Sequence, residues 1–158
     1  MACIIQSSTN ETKKDTKMIY HTSHSEIKEI HNKGLFGDVL FFSNNVYEMA
    51  DANFIYSVDS DELSFIEPCQ IDNEETLQEV INYAKVDEDT AFDLLTGDVD
   101  AYDICDDCED AADLSWKIQY FQAQAAKRMG FDGCKSQDEQ GAVYMIPMFG
   151  RESILTKV

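Results

Sequence analysis

Basic residues are scarce in this chain: 12 Lys and Arg stand against 31 Asp and Glu, a formal charge of -19. A protein that grips a phosphate backbone needs Lys and Arg to displace counterions, so direct nucleic-acid binding is excluded. The same imbalance steers the molecule toward basic protein surfaces, through a field that salt weakens. Long apolar runs are missing as well. No stretch approaches the roughly 20 apolar residues of a membrane span, and the first residues lack the apolar segment of a secretion signal, so a cytosolic location is expected. Cysteines number five, an odd count that fits reduced thiols in that compartment. Cys105 and Cys108 form a C-x-x-C pair, but no second pair follows at zinc-site spacing. They read as unpaired thiols in an acidic loop, and no metal site is expected. Parallel β-α-β alternation and internal repeats are also absent, which disfavours a doubly wound fold.

What is present suffices for one enzyme-sized domain. The 158 residues are 44% hydrophobic, enough to bury a core. Residues 1–16 are polar without period and read as a mobile leader before a single domain over 17–158. Strands are expected at Met18–Ser23, Val39–Phe42 and Asn53–Val58, with Ser64–Ile66 continuing or pairing with the last. One or two helical turns are expected at Ser25–His31, and Asn44 or Asn45 can cap a turn through Met49. Asn73 is a good N-cap for a helix whose Leu77, Val80, Ile81 and Ala84 share a face. A second helix is expected over Asp87–Leu95, followed by an acidic connection from Asp98 to Asp110. Asp110 would cap the longest helix, striped by Ala111, Leu114, Ile118, Phe121, Ala125 and Met129 and stopped by Gly130. Trp116 is expected to pack on the sheet. Three more strands are expected near Cys134–Glu139, Ala142–Met148 and Ser153–Val158. Strands at both ends enclosing helices give an α+β class.

Chemistry concentrates at Gln137, Asp138 and Glu139. Alternate strand residues share a face, so Gln137 and Glu139 project together and Asp138 points away. A carboxylate can accept hydrogen bonds from sugar hydroxyls and stabilise oxocarbenium character during glycosidic cleavage, while the neighbouring amide orients a second substrate. By itself the Q-x-E spacing also suits a solvated strand edge. Its context is Tyr20-His21-Thr22-Ser23 on the first strand and Gly34 to Ser43, with Phe36, Gly37, Phe41 and Phe42, at the second.

Three motifs in this order resemble the ADP-ribosyltransferase superfamily, and longer stretches (Tyr20–Ser43, Asp110–Trp116, Ala125–Phe131, Gln137–Ile146) resemble its phage-encoded anti-CRISPR branch acting on the type I-F surveillance complex. The resemblance implies a fold of split antiparallel sheets with an inserted helical region, and NAD as co-substrate. It implies that His21 contacts a NAD ribose and that Thr22 or Ser23 meets the nicotinamide end. Gly37 would allow close approach of backbone to cofactor. Phe41 or Phe42 and Tyr47 would stack on nicotinamide, with Phe36 in the same motif, and Asp113 would be a polar group near NAD. Glu139 would be the catalytic carboxylate and Gln137 the residue that holds the target amide. His21 belongs to the branch whose first motif is His, whereas Gln137 is typical of branches whose first motif is Arg, so the chain combines both patterns. The implied reaction adds ADP-ribose to an asparagine of the large, PAM-recognising subunit in the cytoplasm of an infected bacterium. Two other readings stay open: an acidic decoy that blocks a DNA-binding groove without catalysis, and a toxin or NAD glycohydrolase acting on host proteins.

Overall fold

The computed structural model describes residues 17–23, 26–30, 37–44, 54–138 and 141–158. The expected leader, the turn capped by Asn44 or Asn45, and Phe36, Tyr47 and Glu139 lie outside them. Among the described residues seven strands form one sheet, β1 (Met18–Ser23), β2 (Val39–Ser43), β3 (Phe54–Asp59), β4 (Phe65–Ile66), β5 (Gly133–Asp138), β6 (Gly141–Pro147) and β7 (Thr156–Lys157), in the order β4-β5-β6-β2-β1-β3-β7. All pairs are antiparallel except β4 with β5. Between β4 and β5 in the chain lie four helices, α1 (Glu74–Ala84), α2 (Glu88–Thr96), α3 (Ala101–Ile104) and α4 (Cys108–Arg128). The class is α+β, as expected.

Alternation along the strands divides the core in two. Val39, Cys134 and Met145 face the helices and meet Leu77, Val80, Leu94, Ile118 and Phe121. Ile19, Phe42, Val58, Tyr144 and Ile146 point to the other face, where Ile30 joins them. Burying a side chain of this size is worth about 1.5–3 kcal/mol, so both layers hold the sheet in register. Burial also pushes the Cys134 thiol up to about 12, leaving it protonated and unreactive.

Caps set the helix starts. The Asn73 side chain accepts from Thr76 N–H at 2.9 Å, and Asp87 accepts from Thr90 N–H at 2.8 Å. The long helix starts three residues earlier than expected, because Asp107 accepts from Glu109 N–H at 2.8 Å and leaves Asp110 in the first turn. The acidic connection also contains α3, capped by Asp100. At the far end of α4, Arg128 donates to Thr76 Oγ1 at 2.8 Å and to both Glu79 carboxylate oxygens at 2.6 and 3.1 Å, which ties α4 to α1.

Four further expectations are corrected. Residues 26–30 are not helical, because the Ile27 N–H donates to Tyr56 Oη at 2.7 Å and holds this stretch over β3. Phe65–Ile66 pairs with β5, not β3: Asp132 accepts from Ser64 N–H and Oγ at 2.8 and 3.2 Å and anchors the strand there. Of Ser153–Val158, only Thr156–Lys157 is strand, preceded by a 3-10 turn at Glu152–Ile154. Trp116 is 49% exposed. It follows Leu114 by two residues, a rotation of about 200° that carries it off the buried stripe.

Gly133 lies where β5 presses closest to β6. A Cβ there would meet Met145 O at 2.5 Å and Phe65 Cε1 at 3.2 Å, so the first of these contacts is with unyielding backbone. Gly133→Ala should therefore destabilise the fold by about 1–3 kcal/mol, seen as a lower midpoint in denaturant unfolding with an unchanged slope.

Candidate active site

Strand β1 pairs with β2 at Tyr20 and Ser43 and with β3 along its whole length. One step along, His21 bridges β1 and β2, its Nδ1 lying 2.8 Å from the Phe41 carbonyl oxygen. A carbonyl can only accept, so Nδ1 carries the proton and, in the neutral ring, Nε2 presents an acceptor lone pair. Burial lowers the His21 pKa from its ordinary value, with the bond to Phe41 opposing it in part. The ring is thus neutral at pH 7 and suited to receive a hydroxyl hydrogen bond.

The two phenylalanines of β2 part ways. Phe42 is buried, 5.6 Å from the His21 ring, and supports it from below. Phe41 is half-buried on the helical side and keeps part of its ring accessible. Thr22 and Ser23 are half-buried at the β3 side of β1, opposite Ile55 and Phe54. Gly37 has φ 56°, a left-handed turn that glycine adopts at little cost just before β2. The next residue, Asp38, is buried, and its carboxylate accepts from Gln124 Nε2 at 2.9 Å and from Phe149 N–H at 3.2 Å. It pins the start of β2 to α4 and to the end of β6. The sequence offered a signal for this, since Asp38 stands inside the second motif, yet its role depends on two partners more than 80 residues away.

Cross-strand register relates these groups to the proposed catalytic strand. Ser136, Val143, Ser43 and Tyr20 form one row across β5, β6, β2 and β1. On the opposite face of the next row are Lys135, Tyr144 and Phe42, the face that His21 shares. Gln137, opposite Ala142, is exposed on that same face, two residues beyond Lys135. Strands about 4.8 Å apart put β5 roughly 14 Å from β1, with β6 and β2 between them. Glu139 follows β5 directly in the chain.

A cleft of about 580 Å³ opens between Tyr20 of β1, Asn44 at the end of β2, Lys135 of β5 and Tyr144 of β6, with Lys17 at its rim. That volume falls in the range of small-molecule sites. Among the described residues two lysines and no carboxylate line it, in a chain of charge -19. Tyr20 of the first motif is part of its wall, while His21 and, among the described residues, the other expected cofactor and catalytic residues are not. The motifs lie on the strands that frame the cleft, while the walls come from their neighbours. Lys135 and Tyr144 were missed, although Lys135, Gln137 and Glu139 follow one strand alternation.

On the helical face, a smaller cleft of about 180 Å³ lies between Ser115 and Gln119 of α4, Ser136 of β5 and Asp100. Because β5 runs back along α4 after the turn at Gly130, Asp113 lies toward the end of β5 that leads to Glu139, with an exposed side chain. Among the described residues no group of three or more His, Cys, Asp or Glu is arranged to hold a metal ion, and Cys105 is a free thiol.

Residues 17–150 match the family described as anti-CRISPR type I-F ADP-ribosyltransferase AcrIF11. Among curated proteins none matches. A solved chain described as "Crystal structure of an anti-CRISPR protein" superposes with a TM-score of 0.53, covering 89% of this chain and 94% of its own at 19% identity, a likeness of fold. With the match spanning most of its length, the chain belongs to the anti-CRISPR type I-F ADP-ribosyltransferase family.

Burial of His21 sets a pH dependence. Its folded-state pKa lies below the unfolded value of about 6.5, so on acidification the unfolded chain takes up this proton first. The stabilisation is complete above about pH 6.5 and is lost as the pH falls through the lower folded value. Denaturant melts from pH 7.5 to 5 should show wild type losing stability more steeply than His21→Leu, and the His21 ring should titrate by NMR with a midpoint below 6.5.

Proposed function

We propose that this member of the anti-CRISPR type I-F ADP-ribosyltransferase family transfers ADP-ribose from NAD to an asparagine on the PAM-recognising large subunit of the type I-F surveillance complex, in the cytoplasm of the infected bacterium. The observation that carries the reading is the His21 ring, fixed by its bond to the Phe41 carbonyl between β1 and β2, on the sheet face that also bears Gln137. NAD would lie along this face, with its ribose hydroxyl donating to His21 Nε2. Lys135 would offer a cation to the diphosphate and Tyr144 a ring edge within the same cleft. Thr22 or Ser23, Phe36, Gly37, Phe41 and Tyr47 would complete the nicotinamide pocket. The buried Phe42 would act by holding His21 in place.

In the proposed reaction the bond between the anomeric carbon and the nicotinamide nitrogen breaks, and nicotinamide leaves with the bonding electrons. The target amide nitrogen forms the new bond and gives up a proton. Glu139, accepting from the 2′-hydroxyl of the nicotinamide ribose, stabilises the positive charge that develops at the anomeric carbon. Gln137 positions the incoming amide, a contribution of proximity and orientation. Asp113, toward the same end of β5, would add a polar contact to the dinucleotide.

The charge of -19 favours a second reading, an acidic decoy that blocks the complex at one-to-one stoichiometry without NAD. A titration separates them, because an enzyme inactivates excess complex only when NAD is present. Intact mass spectrometry of the large subunit should show one ADP-ribose adduct. Glu139→Ala should lower transfer by at least about 10²-fold with an unchanged unfolding midpoint. Gln137→Ala should retain nicotinamide release to water while losing the adduct. Labelling that survives Glu139→Ala would overturn the catalytic assignment.

A further inference from the structure

Helix α4 carries two stripes. Leu114, Ile118 and Phe121 are buried in the core, and one residue after each stand Ser115, Gln119 and Gln122, which repeat at the same steps of four and three. Residues at that spacing share one side of a helix, so a polar stripe runs beside the apolar one. It turns into the corner where β5 packs on α4. There Ser115, Gln119 and Gln122 meet Ser136 of β5 and Asp100, the cap of α3, around a cleft of about 180 Å³. A corner between a helix and a sheet is ordinarily filled by apolar side chains packed to crystal-like density. This one is open and lined with hydroxyls, amides and a carboxylate.

The lining gives the chemistry of the occupant. Gln122 is 5% exposed, and its Nε2 donates to the Leu95 carbonyl at 3.0 Å, which fixes the amide and leaves its oxygen as an acceptor. A buried acceptor is costly to leave unmatched, so this position favours a group that donates. The Asp100 carboxylate, exposed at the same cleft, also only accepts, and it adds a negative charge. No Lys or Arg stands between Lys85 and Lys117 to offset that charge within the helical segment. A donor that is also a cation fits best. Acceptors spread over several walls suit the flat guanidinium fork with its five N–H groups better than the compact ammonium of lysine. The volume lies below the roughly 300–1,000 Å³ of sites that enclose a drug-sized ligand, so one side-chain head group fits and a dinucleotide does not.

We infer that this cleft anchors an arginine side chain of the target protein, its guanidinium held by the Gln122 amide oxygen and the Asp100 carboxylate, with Ser115, Gln119 and Ser136 supplying further oxygens. The inference deepens the transferase reading and rests on it for the identity of the target. Ser136 stands three residues before Glu139, no more than about 11 Å along the chain, so an arginine seated here holds the target close to the proposed catalytic residue. The cleft lies on the helical face, whereas Lys135 and Tyr144 of the larger cleft lie on the other face of the sheet. Anchoring and NAD binding are therefore carried by different residues.

Two measurements on the full-length chain test it. In the first, purified type I-F surveillance complex is bound to wild type and to two variants. Gln119→Met keeps a good helix former of similar length but removes both polar atoms, and Asp100→Asn removes the charge while keeping a residue that caps α3. Each should weaken binding by about tenfold or more, raise the KM for the complex, and leave the KM for NAD and the circular dichroism as in wild type. In the second, N-acetyl-arginine amide is titrated into the isolated protein and followed by NMR. It should shift the Ser115, Gln119 and Ser136 amides and the Gln122 side-chain amide saturably, while the uncharged citrulline counterpart should not. Affinity for the complex within about twofold of wild type in both variants overturns the anchor. Equal shifts with citrulline, or shifts of these groups by nicotinamide or ribose in place of arginine, overturn it too. Saturable arginine shifts in a chain that leaves no ADP-ribose adduct on the complex sink the transferase reading alone.

Discussion

The site depends on one hydrogen bond between β1 and β2, from His21 Nδ1–H to the Phe41 carbonyl. This bond fixes the tautomer and the rotation of the ring. Phe42 lies 5.6 Å from the ring, and burial favours its uncharged form. Asp38 fixes the start of β2, the strand that supplies that carbonyl. Gln124 of α4 and the Phe149 N–H provide that support, so the helical region stabilises a site on the opposite face of the sheet.

Charge is distributed unevenly over this frame. Among the described residues the large cleft is lined by two lysines and no carboxylate, while the helical layer from α2 to the start of α4 has no cation. A uniformly acidic surface would repel a dinucleotide and its diphosphate as strongly as it attracts a basic protein. Separating the two signs lets one molecule of charge -19 offer an anion-tolerant cleft and a cation-seeking surface at once.

Much of the fold was legible in local signals. Asn73 and Asp87 cap where their side chains can reach a free N–H, and the stripe from Ala111 to Ala125 is buried as its spacing of three and four requires. The misses share a cause. Any of several Asp residues could cap α4, and the cap used was Asp107. Phe65–Ile66 found its partner 68 residues away through Ser64 and Asp132. Residues 26–30 gave up a helical turn for a tyrosine hydroxyl on β3.

The sequence by itself determined the α+β class, the order of three motifs and the family they belong to, because these depend on residue identity and on periodicities of two and 3.6 that act over a few neighbours. Only the tertiary structure decided which neighbours of those motifs form the cleft, that Phe42 supports rather than faces outward, that Asp38 anchors β2, and that Trp116 is half-exposed. These outcomes depend on strand order and register, which bring Tyr20 and Ser43 into one row with Val143 and Ser136 from the far end of the chain. Long-range pairing of that kind is set by the summed burial of two core layers, and no single stretch of the chain contains that sum.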